Sequence, residues 1–351
     1  MTPRSDAADK RGLRPSLGLA DLGATIGTAA VMLLVFCAAG CSETLDAGSS
    51  RPHGLLPVDE RNPLVLINDG AFDNWSTEYA ILLANGGGLT LAGIVVGTGG
   101  RSDDIDTNWT GARDLVAAAS RSGLKGIPDP IASISDKLKR PTSGAIDATQ
   151  ANRSEGALFI VEASKRLALS YRPLVVATGG KLTDVADAYL IDPTVTDRVV
   201  VVSSLGSLTT SGAAMGEPNG EMDPWADTIV TTRFRYVQVS AFYDQLTDVP
   251  ASRISELPAN PFGSWMAAKQ PNIYSIAVAA DQVAVVAVAI ASFATEVGRV
   301  SPIGIVDSGA TEGPSLEASP DGSGWLVRQC DGSAATEHFW SILLNPATFA
   351  P

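Results

Sequence analysis

Histidine and cysteine are scarce in this chain, with two and three residues respectively among 351. His53 lies in a Ser-, Gly- and Pro-rich stretch near the start, which leaves His338 as the one imidazole in the remainder. Multi-histidine metal sites are thereby excluded and a Ser-His-Asp triad is disfavoured. Beyond Cys41 the single thiol is Cys330, which argues against thiol catalysis. Clustered basic residues are also missing from the body of the chain, whose net charge is −13. Neutralising a phosphate backbone needs such clusters, so a nucleic-acid polymer is excluded as a partner. Carboxylates remain as the groups able to carry chemistry.

What is present begins with an apolar run from about Ala24 to Gly40, preceded by Arg4, Lys10, Arg11 and Arg14. A basic segment, an apolar segment and then small residues form the layout of a secretory signal. The run ends in Ala38-Ala39-Gly40-Cys41, which resembles a lipobox, where the Cys is acylated and becomes the new N-terminus. Residues 1–41 are therefore expected to be a signal peptide with Cys41 as the lipidation site. The alternative is an uncleaved signal anchor, since about 17 to 25 apolar residues can span a bilayer. Either way the domain is expected outside the cytoplasm, in the cell envelope and held to a membrane. Residues 42–61, rich in Ser, Gly, Pro and charge, read as a flexible tether. Cys37 leaves with the signal and Cys41 carries lipid, so no intramolecular disulfide is expected.

Residues 62–351 are expected to form one α/β domain. At 45% hydrophobic and 18% charged, the chain can bury a sizeable core. Val- and Ile-rich runs at Pro63–Asn68, Leu91–Val96, Pro173–Ala177 and Arg198–Val202 each stop at Gly or a small polar residue, as strands buried on both faces do. Helical patterns alternate with them, at Ser76–Ala84, Gly111–Ser122, Glu155–Ser170 and Leu182–Ile191. This alternation predicts an open, mostly parallel twisted sheet flanked by helices. Arg235–Ala241 reads as a further strand, Asp281–Val297 as a long apolar core helix and Ser301–Gly324 as loop.

In such a sheet ligands bind beyond the carboxyl ends of the strands. Asp69 and Asp73 follow the first strand at a spacing of four, with Gly70 between them. A tight turn brings both carboxylates to one point, an arrangement suited to a hard, oxygen-seeking cation. The competing reading is that Asp73 or Asn74 caps the following helix and Asp69 lies on the surface.

The run Val65-Leu-Ile-Asn-Asp-Gly-Ala-Phe-Asp-Asn74 resembles the D-x-D-P-G-x-D-D signature of the inosine-uridine preferring nucleoside hydrolase family. Further matches follow in family order. Val176-Ala-Thr-Gly-Gly-Lys-Leu-Thr-Asp184 resembles the T-G-x-L-T-N segment with one inserted residue, and Ala188-Tyr-Leu-Ile-Asp-Pro193 with Leu205-Gly206-Ser207 resembles the helix end and M-G-G strand end. Asn219-Gly-Glu-Met-Asp-Pro-Trp-Ala-Asp227 resembles the G-N...A-E-F-N-x-x-x-D-P block, and Asp281 opens a segment similar to H-D-P-L-A. Together these cover roughly Pro63 to Ile290.

The resemblance implies a Rossmann-like nucleoside hydrolase fold and calcium-dependent hydrolysis of the N-glycosidic bond of ribonucleosides or related ribosyl compounds. Asp69 would ligate Ca²⁺ and act as general base toward the attacking water. Asp73 would share the catalytic work by binding a ribose hydroxyl, and Asn74, Thr178 (through its carbonyl) and Asp281 would complete the protein ligands. Asn219, Glu221 and Asp223 would hold the sugar. The resemblance also implies homo-oligomers, because the family commonly forms dimers or tetramers.

Several positions depart from the family pattern. Ile67 and Asn74 stand where acids are usual, Gly100 stands for an Asn, Asp223 stands for an Asn, and Ala280 replaces the His that often protonates the leaving base. A general acid contributes about 10²- to 10⁴-fold, so its loss slows turnover. Trp75 and Trp225 are candidates to stack on the base instead, or else to pack in the core. A second function is consistent with these departures: a non-catalytic lipoprotein that binds a nucleoside or sugar in the same cleft.

Overall fold

The computed structural model describes residues 56–70, 75–99, 104–204, 206–209, 218–239, 251–269, 285–289, 293–307 and 312–350. All of these fall in one compact unit. The expected signal and lipidation residue Cys41 lie outside the described residues, and among those described no helix is long and apolar enough to cross a membrane.

The centre is a ten-stranded sheet in the order β3-β2-β1-β4-β5-β7-β10-β8-β9-β6. The strands are β1 (Pro63–Asn68), β2 (Thr90–Val96), β3 (Pro130–Ala132), β4 (Leu174–Thr178), β5 (Val199–Ser204), β6 (Leu208–Thr209), β7 (Arg235–Val239), β8 (Ala294–Asp307), β9 (Glu312–Ala318) and β10 (Gly324–Cys330). Every pairing is parallel except the two made by β8. The expected mostly parallel sheet is therefore what the chain forms.

The alternation of side chains along a strand explains the two layers. Along β1, Leu64 and Leu66 enter one core, shared with α1 (Ser76–Asn85), α2 (Ile105–Arg121), α7 (Pro261–Ala268) and the C-terminal helix Gly332–Leu343. Val65 and Ile67 enter the other, shared with α3 (Glu155–Leu167), α4 (Thr183–Ile191) and α6 (Pro224–Arg233). Because both faces are covered, β1 is buried at all six positions and reads as an apolar run that ends at Asn68.

Helix starts follow local chemistry. Asp104, Ser154, Asp223 and Asp331 each accept a backbone N–H from the first turn of α2, α3, α6 and the C-terminal helix. With Asp104 as its cap, α2 begins at Ile105, six residues before the expected Gly111.

Three other expectations need correction. The apolar stretch expected as a helix from Asp281 to Val297 is helical at residues 285–289, but by Ala294 the chain has become β8, with Val297 opposite Val327 on β10. An Ala/Val run fits either period, and pairing with β10 decides it. Ser301–Gly324 is not a loop: most of it builds the β8–β9 pairing, where Pro302 lies opposite Leu316 and an irregularity follows at Gly304, whose φ is +115°. Pro and Gly are tolerated in a strand at such a bulge. The expected tether, residues 42–61, is too long, since Leu56 and Val58 are already buried in the first core.

Candidate functional site

Strands β1, β2 and β3 extend the sheet one way from its middle while β4, β5 and β7 extend it the other way. The order therefore reverses between β1 and β4, and their carboxyl ends flank the crevice where an open parallel sheet binds ligands. Asp69 follows β1 there, and Thr178 is the last residue of β4.

The turn carrying Asp69 is braced from three directions. Asn68 Oδ1 accepts the Gly70 N–H at 2.9 Å, while its Nδ2 donates to Thr77 Oγ1 at 3.1 Å at the start of α1. Asn108 on α2 donates to the carbonyls of Asp69 at 3.2 Å and Gly97 at 3.1 Å, tying the ends of β1 and β2 together. Gly70 has φ +90°, and a Cβ there would fall 2.2 Å from Asn108 Oδ1, so both conformation and space require glycine. On the β4 side, the Gly179 N–H donates to the Ile67 carbonyl at 3.1 Å, and Thr178 Oγ1 bonds both ways with Gly180. Asp69 is held at the switch point with 6% of its surface exposed.

The acidic block lies on the far side of β4 in sequence and comes back over the strand ends. Asn219, in the short helix α5 (Pro218–Met222), donates to the Ser204 carbonyl at the end of β5 at 2.5 Å. Three residues on, Met222 abuts Gly99 after β2, where a Cβ would lie 2.9 Å from its sulfur. Since β1 and β4 stand between β2 and β5, this helix straddles the ends that carry Asp69 and Thr178.

The expected sugar-holding residues have distinct environments. Asn219 is buried and Glu221 exposed. Asp223 is buried, and both of its oxygens take protein donors: Oδ1 the Ala226 N–H, and Oδ2 the Leu138 N–H at 3.0 Å and the Thr183 hydroxyl at 2.8 Å. Asp73, Asn74, Gly100, Ala280 and Asp281 lie outside the described residues. Trp75 and Trp225 are packed. Trp75 is stacked on Phe339 and edge-on to Trp340, and Trp225 donates to Thr149 Oγ1 with Arg140 over its ring.

Two further carboxyls, Asp227 and Glu78, are fully buried. Burial raises Asp227 to about 8, opposed by the Ser207 hydroxyl and reinforced by the nearby Asp223 charge. Burial also raises Glu78, near the start of α1, to about 8, opposed by a hydrogen bond from its own backbone N–H.

Asp69 supplies a carboxylate and Thr178 a backbone carbonyl, both hard oxygen donors of the kind Ca²⁺ takes. Among the described residues no group of three or more His, Cys, Asp or Glu gathers around a common point. The donor chemistry described thus fits a hard cation, with the remaining expected ligands on segments beyond it.

Sequence reasoning missed Asn68 and Asn108. Asn68 sat inside the quoted motif without a role. Asn108 gave no signal, because its contacts with Asp69 and Gly97 exist only once α2 packs on the sheet.

No family model matches the sequence, and no curated protein matches it either. Solved structures do. A plant nucleoside hydrolase superposes with a TM-score of 0.61 at 16% identity, covering 81% of this chain and 99% of its own. The fold is that of the nucleoside hydrolases. A purine-preferring ribonucleoside hydrolase from Gardnerella vaginalis gives a TM-score of 0.57 at 17% identity, over 82% of this chain and 100% of that one. The inosine-uridine preferring nucleoside hydrolase from Bacillus anthracis gives 0.55 at 14% identity, over 81% and 99%. The nucleoside hydrolase fold thus spans most of the chain, at identities that establish architecture alone.

Proposed function

We propose that this chain hydrolyses the N-glycosidic bond of ribonucleosides or related ribosyl compounds at the carboxyl edge of its sheet. The observation that supports this most is the convergence of Asp69 and Thr178 at the switch point beneath the helix that bears Asn219 and Glu221. Such a crevice offers carboxylate and amide oxygens to a polyhydroxylated ring, and the fold is one on which nucleosides are handled in other chains.

In this reading Asp69 takes a proton from a water molecule. The water oxygen then bonds to C1′ as the bond from C1′ to the base nitrogen breaks, and that electron pair leaves with the base, which is protonated from solvent. Positive charge develops on the ring as in O-glycoside hydrolysis, and nearby carboxylates stabilise it. Asp73, Asn219 and Glu221 hold ribose hydroxyls, with Asp223 supporting the block from beneath. Asp69, Asn74, Thr178 and Asp281 are the residues that would hold Ca²⁺. When bound, that ion orients the sugar diol and acidifies the water.

Cys41 lipidation, anchoring in the cell envelope, a small-molecule nucleoside as partner and self-association belong to the same proposal. A reducing-sugar assay on the soluble domain with calcium and a panel of nucleosides tests the reaction. Release from at least one nucleoside, lost in Asp69→Ala, is expected; no release from any of them would overturn it.

A second reading, binding without hydrolysis, is favoured by one observation. Ala280 stands where the family resemblance places the His that protonates the leaving base. Saturable, calcium-dependent nucleoside binding without product would support this reading.

A further inference from the structure

A cluster of polar groups beside the proposed ribosyl site has donors to spare among the described residues. Lys181 enters the connection between β4 and α4 directly after Gly179 and Gly180. Its half-buried side chain reaches to the other side of β1 in the sheet order, where Nζ donates to Ser135 O at 2.6 Å beyond β3 and to Thr98 Oγ1 at 3.1 Å beyond β2. Both acceptors are neutral, and among the described residues no carboxylate lies within ion-pair distance of Lys181. An ammonium has three N–H donors, so among the described residues one remains and no counter-charge stands at contact range.

The second observation is independent of the lysine. Ser135 is 4% exposed, yet among the described residues its hydroxyl has no hydrogen-bond partner. Leaving a buried polar group unpaired is costly, so one in a folded chain calls for a partner. Thr98 Oγ1 accepts from Lys181 and so keeps its own O–H to donate. One ammonium and two hydroxyls therefore stand at the ends of adjacent strands β2 and β3, with strand β1 and Asp69 next in order. Asp184 is in electrostatic reach of Lys181, but it is buried and takes the Ser133 hydroxyl at 2.9 Å.

We propose that Lys181, Ser135 and Thr98 form an oxyanion subsite that receives a phosphate substituent of the ribosyl substrate. The preferred substrate class is then a phosphorylated ribosyl compound, such as a nucleoside monophosphate, in preference to the uncharged nucleoside. Phosphate suits the cluster because its several oxygens can take the remaining ammonium N–H and both hydroxyls together. This inference rests on the ribosyl reading for the sugar, but the oxyanion subsite stands on its own residues.

Calorimetry at low ionic strength with ribose, ribose 5-phosphate and inorganic phosphate tests it on the calcium-supplemented soluble domain. Ribose 5-phosphate is expected to bind at least about tenfold more tightly than ribose, as one charge-assisted contact allows. Lys181→Gln should abolish that gap and Ser135→Ala should narrow it, with ribose affinity and the circular dichroism spectrum unchanged in both. Equal affinity for ribose and ribose 5-phosphate in the wild type, or a gap that survives Lys181→Gln, would overturn the inference. Inorganic phosphate binding that depends on Lys181, with no binding of ribose or ribose 5-phosphate, would keep an oxyanion site but overturn its assignment to a ribosyl substrate. Nucleoside hydrolysis with no preference for the phosphorylated form would leave the proposed reaction standing and sink the subsite.

Discussion

Gly180 stands so close to Asp69 that a methyl group on its Cα would lie 3.0 Å from the Asp69 Cβ and 3.4 Å from its carboxyl carbon. The proposed base and the turn leaving β4 are therefore in direct contact across the switch point. Asp69 has little room to retreat, because Asn108 holds its carbonyl and Asn68 holds the next N–H.

Gly180→Ala is expected to displace the Asp69 carboxylate by a few tenths of an ångström and to lower kcat by roughly ten- to a hundredfold, since misplacing a reacting group is expensive in rate. Thermal stability should change little. Steady-state kinetics beside a melting curve checks this, and an unchanged kcat would show that the contact does not position the base.

Asp223 is predicted to act mainly on stability. Its two oxygens satisfy donors from the segment after β3, from α4 and from α6. Asp223→Ala removes a helix cap and strands a buried N–H and hydroxyl, so a loss of about 3 kcal/mol is expected in urea unfolding. If the variant unfolds like the wild type while KM rises sharply, the residue serves the sugar directly.

Glu78 and Asp227 predict a pH slope. Both carboxyls are held at about 8 by burial when folded, and both return to ordinary carboxylate values when the chain unfolds. The folded state then holds more protons than the unfolded state between about pH 4.5 and 8, so stability falls as pH rises through that window and levels off above it. Glu78→Gln, which has no charge to bury, should melt higher than the wild type at pH 9, and the difference should vanish near pH 4. Melting curves that run parallel across this range would refute the assignment.

The parts of the fold legible in the sequence were those set by local pattern. The doubly buried strands β1, β2, β4 and β5 announced themselves as Val/Ile runs ended by small residues, and the helices between them by their periodicity and stops. The strands from β8 onward were not legible, because their register depends on partners far away: Val297 needs Val327, and Pro302 needs Leu316. Asp69 is a candidate from its place after a strand, where chemistry collects in this architecture, and the roles given to it and to Thr178 come from the family resemblance. Asn108 and the reach of Lys181 to Ser135 were invisible, since each joins segments that meet only after the helices dock on the sheet.

The proposed chemistry depends above all on a hard cation held at the switch point by Asp69. Calcium bound per chain, measured by titration calorimetry on chelator-treated domain, tests that claim directly. One saturable site is predicted in the wild type, together with a calcium-dependent rise in melting temperature, and both should disappear in Asp69→Asn while the fold is retained. Absence of any saturable calcium binding, or equal binding by wild type and Asp69→Asn, would contradict it.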